Sequence, residues 1–390
     1  MRKGVAAMLG IVLLGGAAVS CSRSAGEVKE IDIAKALGSK RVEVNLSELA
    51  SSIEYIPLDM GGEFLPSYHM MRMIPTLDFF YFLPLPQGDS PLFRFSADGK
   101  LLSRLKKTGR AADEYVYPLS SVLDKANKRY YVLTGNGDVK IYTVDGDYIT
   151  SFSCNLPGYN NPFEMAYIGD KVKFMARSKD FAKLSAFELD DTGNIISEEV
   201  LLDYSGVANE VFENDLSARI TSEGKMSYEG NTLLLHQAYD SLYSYNGIEP
   251  PEVAYSVNFG NYKDGIKRKL LVGGLCYETP NHLIMQVVMV MKYFDNLDSQ
   301  ERINYILFDK RTGETLSLKK DTDNNSYFNN DIDGGMPFFP KVVAGDKMYQ
   351  IVDAVTFIEE AEKSSSQAMK DMAKGLTEDS NPVIVVATLK

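Results

Sequence analysis

The stretch KRYYVLTGNGDVKIYTVDGDYITSF, residues 128–152, decides the fold. Apolar and polar residues alternate through Tyr131–Leu133, Val139–Val144 and Val144–Ile149, the period-two pattern of half-buried strands. The interruptions are Gly135-Asn136-Gly137 and Asp145-Gly146. Such residues tolerate the positive φ of tight hairpin turns, so successive antiparallel strands are expected here.

The unit recurs. A strand, a polar turn with glycine and a second strand appear in FRFSADGKLLSRL (93–105), IYTVDGDYITSF (141–152), FELDDTGNIISEEVLL (187–202), LYSYNGIEPPEVAYSV (242–257) and LFDKRTGETLSLK (307–319). The turn glycines, 99, 146, 193, 247 and 313, are spaced by 47, 47, 54 and 66 residues. A propeller blade repeats every 40 to 50 residues or so, and the wider spacings imply blades with longer loops. A further strand pair precedes each turn, as in DFFYFLPLPQGDSPLFRF (78–95) and NTLLLHQAYDSLYSY (231–245), which makes four strands per unit.

Five units leave SSIEYIPLD (51–59) at one end and DKMYQIVDA (346–354) with NPVIVVATLK (381–390) at the other. A ring closes by letting both termini build one blade, which removes open sheet edges. The expectation is an all-β, six-bladed β-propeller over residues 46–390, with Ile53–Asp59 paired to Pro382–Lys390. A two-sheet sandwich is the alternative, and it does not require the regular spacing. Residues 355–380, VTFIEEAEKSSSQAMKDMAKGLTEDS, are rich in helix formers and place Phe357, Ile358, Ala361, Met369 and Met372 near one face. They read as a small helical insertion in the closing blade.

The amino terminus, MRKGVAAMLGIVLLGGAAVSC, puts Arg2 and Lys3 before an apolar run and small residues before Cys21. That is the layout of a secretory signal over residues 1–20, and Ala18-Val19-Ser20-Cys21 resembles a bacterial lipobox. The resemblance implies that Cys21 is acylated and that residues 21–45 form a lipidated tether leading into the propeller. An ordinary cleavage site before a cysteine is the other reading. The protein is expected to be exported and membrane-anchored through lipid, on the periplasmic or the cell-surface face.

The chain carries a net charge of −12, which becomes −14 without the two cations of residues 1–20. An acidic body argues against nucleic acid as a partner. Beyond Cys21 only Cys154 and Cys276 remain, far apart in sequence and too few for a disulfide framework.

Three stretches carry a family resemblance: LSELASSIEYIPLD (46–59), FSADGKLLSRLKKTGRAADEY (95–115), and NDIDGGMPFFPKVVAGDKMYQIVDA (330–354) followed by EDSNPVIVVATLK (378–390). Together they resemble the six-bladed β-propeller lipoproteins of unknown function of Bacteroidetes-type envelopes. Where that family's pattern prefers Gly-Pro-Gly before Glu-Tyr, this chain has Ala111-Ala112-Asp113.

Catalytic signatures are missing: there is no Gly-x-Ser-x-Gly, His-Glu-x-x-His, phosphate loop or Cys-x-x-Cys. The three histidines, His69, His236 and His282, fall in separate units. Asp321-Thr-Asp323-Asn-Asn325 starts like a calcium loop, but Ser326 stands at the sixth place and Ile332 at the twelfth, where Gly and Glu are needed. No cofactor is therefore expected, Ca²⁺ being the one ion with any candidate residues.

Two sets remain as ligand-binding candidates. Arg110, Asp113, Glu114 and Tyr115 combine hydrogen-bonding charge with a ring able to stack on a pyranose; the same residues could make an interblade salt bridge and a core aromatic. Asn330, Asp331 and Asp333 could contact a ligand or Ca²⁺, or cap a turn. The leading expectation is a non-enzymatic envelope lipoprotein, binding or scaffolding a glycan, peptide or partner protein. The alternatives are a glycan-degrading lyase or hydrolase on a propeller scaffold and an accessory subunit of an outer-membrane uptake complex.

Overall fold

The structure is a computed structural model that describes residues 28–65, 68, 71–76, 78–84, 91–105, 109–203, 205, 225–228, 231–236, 240–264 and 267–390. The signal segment, Cys21 and His69 lie outside the described residues.

Strand β1 (Lys29–Asp32), helix α1 (Ile33–Gly38) and strand β2 (Ala50–Pro57) come first. Blade I follows as β3 (Met71–Pro75), β4 (Phe79–Pro84), β5 (Leu92–Ser96) and β6 (Leu101–Leu105). Blade II is β7 (Pro118–Asp124), β8 (Arg129–Thr134), β9 (Asp138–Thr143) and β10 (Tyr148–Ser153). Blade III is β11 (Glu164–Ile168), β12 (Lys171–Arg177), β13 (Lys183–Leu189) and β14 (Ile195–Asp203). Blade IV is β15 (Lys225–Tyr228), β16 (Asn231–His236), β17 (Ser241–Tyr245) and β18 (Glu252–Asn258). A two-residue pair, β19 (Lys263–Asp264) and β20 (Lys267–Arg268), precedes blade V, which is β21 (Leu270–Glu278), β22 (His282–Met289), β23 (Ile303–Asp309) and β24 (Thr315–Ser317). Blade VI takes β25 (Val342–Ala344), β26 (Lys347–Val352) and β27 (Val383–Leu389), with α2 (Ala354–Lys363) and α3 (Gln367–Ala373) between the last two.

The ring closes as expected. Strand β2 is the outermost strand of blade VI and pairs antiparallel with β27, Tyr55 opposite Val385 and Pro57 opposite Val383. The quoted stretch 128–152 forms β8, β9 and β10.

Alternation explains both the blades and the space between them. On β22, Leu283 and Met285 pack toward blade IV while Ile284 packs toward blade VI; on β27, Val383 and Val385 face blade V while Ile384 and Val386 face blade I. Successive side chains of a strand point to opposite faces, and each face of a blade meets a neighbouring blade. Each of the six interfaces therefore has its own apolar cluster. A middle strand such as β27 is buried almost throughout, whereas the outer strand β10 is largely exposed.

The turn glycines join blades as well as strands. In blade I the Gly99 carbonyl accepts from Asp59 N at 2.8 Å, and in blade III the Gly193 carbonyl accepts from Asn155 N at 2.9 Å. Both glycines have positive φ, +88° and +85°, and a Cβ at either would overlap a backbone oxygen of the preceding blade, Pro57 O or Ser153 O. Only glycine meets both demands without strain.

Residues 28–45, placed by the sequence in the tether, are ordered. Strand β1 lies parallel to β18, with Lys29 opposite Tyr255 and Asp32 opposite Asn258, and Ile31 and Ile33 are buried between blades IV and V. Val42 then pairs in parallel with Leu318 at the edge of blade V, and Asn45 with Asn329, before the chain becomes β2. One continuous strap thus covers the outer edges of blades IV and V, satisfying backbone groups that an edge would leave unpaired.

The helical insertion lies where the sequence placed it. Asp353 caps α2 by accepting from Thr356 N, and Ser366 caps α3 by accepting from Met369 N; side-chain caps of this kind satisfy otherwise orphaned amides. Phe357, Ala361 and Met369 face the core between blades V and VI.

Candidate functional site

Strand direction alternates within a blade, so the loop before the first strand, the loop between the second and third, and the loop after the fourth share one end. At this end of blade II lie residues 109–117, 135–137 and 154–163, and the loop 178–182 occupies the same end of blade III.

The loop 109–117 is tightly built. Gly109 N donates to Tyr115 O at 3.0 Å, and Ala111 N donates to the Glu114 carboxylate at 2.8 Å. Lys140 Nζ donates to Ala112 O at 2.7 Å and Tyr142 Oη donates to Asp113 O at 2.9 Å, docking the loop on β9. Tyr115 is a core anchor, buried at 4% exposure with its ring edge-on to Tyr142 at 6.2 Å. Arg110 is exposed, and Asp113 and Glu114 are half-buried. The four candidates therefore share one loop, but Tyr115 faces inward and Arg110 outward.

Tyr117, which the sequence reading did not single out, is 77% exposed and sits at φ +52°. Positive φ is uncommon for a bulky side chain, and Pro118 follows, which normally pushes the preceding residue to extended backbone. The Tyr117 carbonyl accepts from Gly135 N at 3.3 Å, linking the loop to the next turn of the blade. Onward, Cys154 N donates to Gly137 O at 2.9 Å and Lys179 N to Gly158 O at 3.0 Å. Phe181, 44% exposed at φ +59°, lies at the end of this connected run.

Asn330, Asp331 and Asp333 occupy the loop between blades V and VI, apart from the first set. Asp331 accepts from the Ser47 amide at 2.9 Å and the Ser47 hydroxyl at 2.6 Å. Asp333 accepts from Tyr55 Oη at 3.0 Å, Ser366 Oγ at 2.5 Å, Asn330 Nδ2 at 2.8 Å and Gly335 N at 2.9 Å. Both carboxylates are occupied in fastening this loop to the chain's first and last segments.

His282 is buried on β22 with Nε2 3.8 Å from Asp309; burial pushes its pKa down and the Asp309 charge opposes the shift. His236 lies on β16. Cys154 and Cys276 are not joined in a disulfide, and each thiol is pushed up to about 12, chiefly by burial. Asp321 accepts from the amides of Asp323 at 2.9 Å and Asn325 at 2.8 Å, a side-chain-capped turn. Among the described residues no group of three or more His, Cys, Asp or Glu is placed to hold a metal ion, and no helix is long and apolar enough to cross a membrane.

The fold is shared with a solved structure. A Bacteroides fragilis protein whose name calls it exported superposes with a TM-score of 0.61 at 14% identity, over 93% of this chain and 100% of that one. A member of the duf4221 family from Bacteroides vulgatus aligns with a TM-score of 0.46 at 13% identity, over 90% and 99%. No protein of curated function matches. The family described as a domain of unknown function, DUF4934, matches residues 28–388, nearly the whole described propeller, and this chain belongs to that family.

Proposed function

We propose that this protein is an exported, lipid-anchored binding module that holds a glycan on the loop end of blades II and III, without transforming it. The observation that carries the reading is Tyr117: a large aromatic ring kept in solvent by a backbone conformation that costs on the order of 1–3 kcal/mol. Such strain persists where the surroundings impose it, and it clusters at ligand contacts. An exposed Tyr offers a face for a pyranose, and Arg110 of the same loop offers planar donors to hydroxyls or a carboxylate. A glycan-hydrolysing reading would draw on a carboxyl group raised toward neutrality as general acid. Among the described residues, every carboxyl group with a resolved shift is lowered, including Glu188, Asp309 and Asp331.

Export and anchoring rest on the signal-like residues 1–20 and on Cys21, alongside the exported name of a structural relative. The test is a glycan array followed by calorimetry on the purified chain. A glycan whose binding is lost in Tyr117→Ala, with folding intact, supports the reading; binding that survives Tyr117→Ala and Arg110→Gln overturns it.

A further inference from the structure

We propose that a cleft between the N-terminal strap and blade V binds a carboxylate carried on a short aliphatic body. It is separate from the loop end of blades II and III and does not depend on that reading. The cleft encloses about 600 Å³, within the range of small-molecule sites. Its position follows from strand pairing: Val42 N donates to Ser317 O and Lys319 N to Val42 O, both at 2.8 Å. Period-two alternation then brings Arg41 and Glu43 to the same face of this ladder as Lys319, and all three line the cleft.

The charge of the lining is opposite to that of the whole. The chain carries −12, yet Lys40, Arg41 and Lys319 face a single acid, Glu43. Lys319 pairs with Glu43 at 2.5 Å, and Tyr327 Oη also donates to it at 3.1 Å. The Lys319 hydrogen bond holds the Glu43 carboxyl below its ordinary range. Among the described residues neither Lys40 nor Arg41 has a carboxylate partner, so two cations are left uncompensated.

Arg41 is already positioned. Its Nη2 donates at 3.1 Å to Asn304 Oδ1, and Asn304 is 1% exposed, with its own Nδ2 directed to Arg302 O at 3.3 Å. The remaining donors of the guanidinium keep the planar fork that matches a carboxylate. Fixing this group beforehand lowers the ordering cost of binding. Leu37 and Met289 supply the apolar part of the wall, a surface that suits an alkyl chain.

The test is isothermal titration of the purified chain at low salt with hexanoate, hexanol and inorganic sulfate. Hexanoate should bind and the other two should bind at least about tenfold more weakly, the scale of a charge-assisted hydrogen bond. Arg41→Gln should weaken hexanoate by about tenfold or more, Lys40→Gln by less, and Arg110→Gln not at all. Arg41→Lys, which keeps the charge but not the fork, guards against a folding defect in Arg41→Gln and should show an intermediate loss. Equal hexanoate affinity in the native chain and the Arg41 variants overturns the proposal, as does binding of sulfate or hexanol as strong as that of hexanoate.

Discussion

The Tyr55 hydroxyl donates to Asp333 at 3.0 Å across 278 residues of sequence, joining the first strand of the closing blade to the loop that leads into its last three. The same carboxylate receives Ser366 Oγ at the start of α3 and the amide of Gly335, and the Tyr55 ring meets Phe357 of α2 edge-on at 5.4 Å. One side chain therefore fastens three separate pieces of blade VI.

Removing that carboxylate should loosen the ring at its seam. Asp333→Ala leaves several partly buried donors unpaired and is expected to cost about 2–4 kcal/mol, with Tyr55→Phe costing less. Urea unfolding measures both; an Asp333→Ala loss within about 0.5 kcal/mol, the range of an ordinary surface change, would refute this role.

Alkali should unfold the protein through its tyrosines. Burial raises the pKa of Tyr245 and Tyr349 to about 12, and burial pushes Tyr142 and Tyr277 higher still. A folded pKa above the unfolded value of 10.0 means that the native state holds its protons longer. The stabilisation is complete below that pH and is lost as pH rises from there through the folded values. Absorbance at 295 nm should therefore rise together with loss of the β-sheet circular dichroism signal. Full tyrosine ionisation in a still-folded chain would contradict it.

Stability and binding should separate at Tyr117. Tyr117→Gly relieves a left-handed backbone strain of about 1–3 kcal/mol against roughly 0.5–1 kcal/mol of added unfolded-state entropy, so a net gain of about 1 kcal/mol is expected while the exposed ring is removed. A higher melting temperature with lost glycan binding is the expected pair of results; a lower melting temperature would show that the ring contributes to folding.

The turn glycines should differ in their tolerance of alanine. Gly193→Ala meets both a positive φ and the Ser153 carbonyl, whereas Gly313→Ala, at φ +76°, meets open space. Gly193→Ala should cost several-fold more than the roughly 1 kcal/mol expected of Gly313→Ala. Equal costs in thermal unfolding would remove the interblade contact from the account.

The blades were readable in advance because period-two alternation reports burial directly, and the turn glycines mark where positive φ and close interblade approach coincide. The ring closure was readable because Ile53–Asp59 and Pro382–Lys390 had no other blade to join. The strap was not: Lys29–Asp32 is a four-residue strand whose pairing with β18 depends on a partner more than 200 residues away. Tyr117 was missed for a related reason, since its backbone conformation comes from bonds to Gly135 and the demands of loop docking, which no local pattern records. Tyr115 was found but points inward, because its ring completes the cluster between blades I and II.

The strap has a mechanical consequence. Because β1 lies parallel to β18 over four registered positions, a pull along the strand at the amino terminus strains their hydrogen bonds in shear, together rather than in succession. Force from an anchor would be met first at blade IV and then at the edge of blade V, before reaching β2. The strand that closes the ring is thus the last element of the leading segment to feel tension, and a drag on the body would leave the seam intact longer than a direct attachment at Ala50 would.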